Sequence, residues 1–81
     1  MSTFQFQPRW KEELVCTGPG GAFVLDFPMG VPTVYAPTEH AWAQSAPAWA
    51  QALWPVFRAE LEAWCHAHDV QFFLDGTSKC Y

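Results

Sequence analysis

Phe4 and Phe6 alternate with Gln5 and Gln7, so residues 3–7 read as a short strand with one apolar and one polar side. Pro8 interrupts it. Residues 9–16 are ambiguous, because Trp10 and Leu14 stand four apart while Leu14 and Cys16 alternate with Glu13 and Val15. The turn signal Gly18-Pro19-Gly20-Gly21 then separates residues 12–17 from residues 22–27, Ala-Phe-Val-Leu-Asp-Phe, and the two runs read as a β-hairpin. Pro28-Met29-Gly30 stops the second run, and residues 31–36 are β-branched and extended, with Pro32 confining them to a strand start or an edge.

After Pro37 the period changes from two to that of a helix. Thr38 is an N-cap residue with Glu39 in the first turn, predicting a short helix over residues 39–44. Pro47 marks a second start, and at Pro55 either the helix kinks or a new one begins. From Trp54 the helical stripe is continuous: Trp54, Phe57, Leu61, Trp64, Cys65 and His68 share a side, and Arg58, Glu62 and His66 lie off it. The helix should end near Asp69, followed by a last strand over residues 70–74 and a turn at Asp75-Gly76.

These elements, in the order β-β-β-α-α-β, predict an α+β fold: a small antiparallel sheet of three to four strands with a long C-terminal helix packed on one face. One side of such a sheet is left for a partner. Eighty-one residues allow a single domain spanning the chain, with a small interior for its size.

Composition sharpens this picture. Aromatic residues are 17% of the chain, including five tryptophans, while charged residues are only 15%. A thinly charged, aromatic-rich surface favours self-association, and a homodimer is expected. The net charge is -4, and the only basic side chains, Arg9, Lys11, Arg58 and Lys79, form no run. This argues against nucleic acid as a partner, since a basic patch is needed to neutralise phosphates. No apolar run approaches membrane-spanning length, and the start of the chain lacks the apolar segment of a signal peptide. Cys16, Cys65 and Cys80 are odd in number and widely spaced, which suits free thiols in a cytoplasmic, reducing setting.

Candidate chemistry is sparse. Cys65 and His68 share a helix face at ligand spacing, and Cys80, Asp75 or His40 could complete a zinc site; yet Cys65 sits in the apolar stripe, where cysteine acts as a small hydrophobe. A Cys65–His66 nucleophilic pair fails because helix neighbours do not face each other. The Gly18–Gly21 run lacks the Lys-Ser/Thr of a phosphate loop. Glu12 and Glu13 would point to opposite sides of a strand, whereas Asp26 and Asp75, both at strand ends, would need the fold to bring them together for acid–base work. No cofactor or metal is expected.

The proline-rich stretch over residues 27–37 presents Met29 and Tyr35 on a rigid backbone, and Met and Tyr are enriched in interface cores. Trp42 and Trp49 follow without an apolar stripe of their own. Met29, Tyr35, Trp42, Trp49 and Trp54 are therefore the candidate binding residues, set against the plainer possibility that Tyr35, Trp42 and Trp49 cap the core. The expected function is a non-catalytic binding or protein-interaction module that self-associates through the open sheet face or an edge strand. The alternative is a carrier or sensor of a small apolar ligand held in an aromatic pocket; an enzyme acting through Asp26 or His40 comes after both.

Overall fold

A computed structural model describes residues 3–9, 12–28, 30, 32–78 and 80. Its elements run β1 (Gln5–Arg9), β2 (Glu13–Gly18), β3 (Gly21–Asp26), β4 (Thr33–Pro37), α1 (Glu39–Ser45), a 3-10 helix (Ala48–Leu53), α2 (Trp54–Ala67) and β5 (Gln71–Asp75). The chain is α+β, with a small antiparallel sheet and two α-helices.

β1, β2 and β3 form that antiparallel sheet, in the order of the chain. The hairpin turns at Pro19-Gly20, as the glycine-rich signal demands. Alternation sends Leu14, Cys16, Phe23 and Leu25 inward, and all four are buried. The other side carries in-register rows of Gln5, Thr17 and Ala22, of Gln7, Val15 and Val24, and of Arg9, Glu13 and Asp26. It is polar except for Ala22 and the Val15–Val24 pair.

The expected strand order needs correcting in two respects. β4 does not join the antiparallel sheet. It pairs in parallel with β5 to make a separate two-stranded sheet. Nor is the long helix C-terminal: α2 lies in the middle of the chain, and β5 follows it. The physical reason is shared. Pro28 and Pro32 lack the N–H groups that a hairpin ladder from β3 into β4 would use, and the helices that follow β4 form the long crossover that parallel pairing requires.

Local signals set the helices. The Thr38 hydroxyl accepts from the Ala41 N–H at 3.3 Å and caps α1. Pro55 stands in the first turn of α2, where its missing N–H costs nothing. Asp69, at φ 56, takes the left-handed conformation that ends α2, and the Val70 N–H returns to the Cys65 carbonyl at 2.8 Å.

The core is aromatic. Phe57, on α2, has its ring centroid 4.5 Å from Trp42, 5.6 Å from Phe4, 5.7 Å from Phe23 and 6.1 Å from Phe6. Leu61 and Cys65 extend the same buried side of the helix. Among the described residues, no helix is long and apolar enough to cross a membrane.

Candidate interaction surface

Among the described residues, the two strands outside the main sheet carry the most exposed large apolar side chains. In β4, Val34 and Ala36 point inward and are fully buried. Alternation therefore turns Tyr35 outward, where it is 39% exposed. Its partner in register is Phe73 of β5, 49% exposed. The two rings stack at 5.9 Å with 23° between their planes. Leu74, next along β5, is 42% exposed, while Phe72 packs against the core.

The two edges of this small sheet are treated differently. On the β4 side, the Trp54 indole N–H donates to the Pro37 carbonyl at 3.1 Å and the Ser78 hydroxyl donates to the Tyr35 carbonyl. Side chains thus occupy acceptors that would otherwise face outward. On the other side, β5 pairs with β4 alone among the described residues.

A cleft of about 270 Å³ adjoins the Tyr35 side, lined by Glu12, Asp26, Phe27, Pro28, Tyr35, Asp75, Thr77 and Ser78. It brings together the strand-end acids Asp26 and Asp75. The Thr77 N–H and hydroxyl both donate to Asp75 Oδ1, at 2.8 and 2.7 Å. These bonds hold the Asp75 carboxyl below its ordinary range, so it is an ionised acceptor at neutral pH rather than a general acid. A second cleft, of about 350 Å³, lies between α1 and the turn after β5.

Tyr35 stands apart from the other described candidates. Trp42 is 1% exposed, and its indole N–H donates to the Ala50 carbonyl at 3.0 Å within the core. Trp49 is half-buried and lies flat over the hairpin turn, so close that a Cβ at Gly18 or Gly20 would come within 2.5 Å of its side chain. Trp54 is half-buried and tied to β4 through Pro37. Trp42 and Trp49 both meet Phe23, at 5.4 and 6.1 Å, but neither they nor Trp54 line either cleft. Met29 and Trp10 lie outside the described residues.

The proposed ligands and nucleophiles are also placed. The His68 ring stacks on Trp64 at 4.5 Å, and its Nδ1 lies 2.8 Å from the Trp64 carbonyl oxygen. Burial, with a smaller contribution from Glu62, pushes the Cys65 thiol up to about 11. Burial likewise pushes Cys80 up to about 11, against a lowering hydrogen bond with Ser45, and raises Cys16 further. All three are protonated thiols at neutral pH, not nucleophilic thiolates. Among the described residues, no group of three or more His, Cys, Asp or Glu side chains is arranged to hold a metal ion.

Phe73 and Leu74 were missed by the sequence reading, although a signal was present. Phe72-Phe73-Leu74 is an unbroken apolar run inside a strand, and alternation cannot turn all three inward. No protein-family model, curated protein or solved structure matches the chain.

Proposed function

We propose that this protein is a non-catalytic interaction module that self-associates as a homodimer, with Tyr35, Phe73 and Leu74 at the contact. The observation that carries the reading is the stacked, solvent-facing Tyr35–Phe73 pair beside exposed Leu74. Tyr35 and Phe73 share one side of the small sheet and Leu74 is exposed on the other, and each of these large apolar side chains loses water contact when a partner covers the strand, at roughly 25 cal/mol per Å². Charged residues are only 15% of the chain, which leaves more of the surface to apolar side chains. Of the described candidates named from the sequence, Tyr35 is the one this surface includes. The reading carries a reducing, cytoplasmic setting, in keeping with three buried free thiols.

Sedimentation velocity over a micromolar concentration series tests it. The expected result is a concentration-dependent monomer–dimer equilibrium that Phe73→Ser shifts towards monomer. A strict monomer at high micromolar concentration rules the reading out.

A further inference from the structure

β5 reads Gln71-Phe72-Phe73-Leu74-Asp75. The Gln71 N–H donates to the Pro32 carbonyl at 3.0 Å, so the backbone of Gln71 faces β4. Successive residues of a strand turn their N–H and C=O groups to opposite edges. Gln71, Phe73 and Asp75 therefore bond towards β4, while Phe72 and Leu74 present their N–H and C=O to the edge that no described strand covers. That edge has no proline, no lysine and no bulge to deter pairing.

We infer that a second copy of this chain covers it, with β5 pairing antiparallel to β5 of the partner about a two-fold axis at Phe73. This rests on the self-association proposed above and names the surface. Three features select a second copy and this register. First, Phe72 and Leu74, whose backbone groups face outward, fall opposite Leu74 and Phe72 of the partner, and each pair can exchange both N–H···O bonds. Second, the central Phe73–Phe73 pair is then of the non-hydrogen-bonded kind, where side chains approach most closely. It extends the Tyr35–Phe73 stack into a row of rings across the dimer. Third, Asp75 falls opposite Gln71 of the partner, where an amide can donate to the carboxylate and like charges do not meet. Centring on Leu74 instead sets Asp75 against Phe73, and centring on Phe72 leaves Asp75 unpaired. Only the Phe73 register pairs every residue of the strand. The product is a four-stranded sheet in the order β4-β5-β5-β4.

Cysteine cross-linking tests the register, and proline tests the edge. Under mild oxidation Phe73→Cys should give a disulfide-linked dimer, because non-hydrogen-bonded pairs hold Cα atoms at about 4.5 Å, within disulfide reach. Gln7→Cys on β1 and the wild-type chain should not. Leu74→Pro removes an N–H that faces away from β4, so the monomer should keep its circular dichroism while dimer dissociation rises about tenfold or more. A wild-type dimer with no Phe73→Cys cross-link, or one that persists in folded Leu74→Pro, overturns the β5 pairing and leaves self-association standing. A strictly monomeric wild type overturns both. Should Leu74→Pro fail to fold, the Phe73→Cys result decides alone.

Discussion

β1 and β5 are both five-residue strands at the margin of a sheet, and they handle the exposed edge in opposite ways. β1 contains Pro8, which cannot donate, and Arg9, which is paired with Glu13 at 2.8 Å. Just before β1, the Thr3 and Phe4 N–H groups donate to the Glu60 carboxylate of α2, at 2.9 and 2.7 Å. Its aromatic side chain, Phe6, and Phe4 just before it turn into the core. β5 has no proline, carries its one charge, Asp75, at its end, and turns Phe73 and Leu74 to solvent. Proline, charge and side-chain cover are the means by which sheets avoid pairing with other chains. One edge of this molecule uses them and the other does not, which teaches that exposure at β5 is a local property of that strand and not a failing of a small core.

The largest expected effect contrasts phenylalanines from the two regions. Phe57→Ala removes the ring at the centre of the aromatic cluster and should cost about 3–5 kcal/mol in denaturant unfolding. Phe73→Ala should change monomer stability by less than about 1 kcal/mol, since half of its surface is already solvated. Equal losses would erase the distinction between a closed and an open region.

A smaller effect probes the turn end of the three-stranded sheet. An added Cβ at Gly18 would meet the Trp49 ring at 2.5 Å and Phe4 at 2.9 Å. Gly18→Ala should therefore destabilise the fold by about 1–3 kcal/mol through overpacking and red-shift tryptophan emission as Trp49 lifts from its seat. Unchanged melting and emission would show that the seat is not tight.

The smallest effect concerns the covered edge of β4. Trp54→Phe deletes the donor to the Pro37 carbonyl and should cost about 0.5–1.5 kcal/mol. It should leave the dimer equilibrium unchanged. A shift in that equilibrium would mean that β4, not β5, is the pairing edge.

The hairpin was legible because Gly18-Pro19-Gly20-Gly21 stands between two alternating runs, and α2 was legible from the spacing of Phe57, Leu61 and Cys65. The start at Thr38 was equally plain, whereas Pro55 could be read as a kink or as a start and stands in the first turn of α2. Local patterns cannot state which strands pair, so the split into two sheets was hidden, and the parallel partnership of β4 with β5 depends on a crossover more than thirty residues long from Pro37 to Gln71. The seat of Trp49 was hidden for a similar reason: the glycines read as a turn, yet their lack of side chains also clears a flat seat for an indole distant in sequence. The surface now proposed was half visible. Tyr35 was named from the proline-rich segment, but Phe73 becomes its neighbour only through the register of the parallel pair.

Residue-resolved amide hydrogen exchange of the wild-type chain, measured from dilute to concentrated solution, tests the contrast between the edges most directly. The Phe72 and Leu74 amides should exchange fast when dilute and slow as concentration rises, while the Phe73 amide stays protected throughout and the β1 amides do not respond to concentration. Concentration-independent exchange at Phe72 and Leu74, or new protection on β1 instead, would contradict the account.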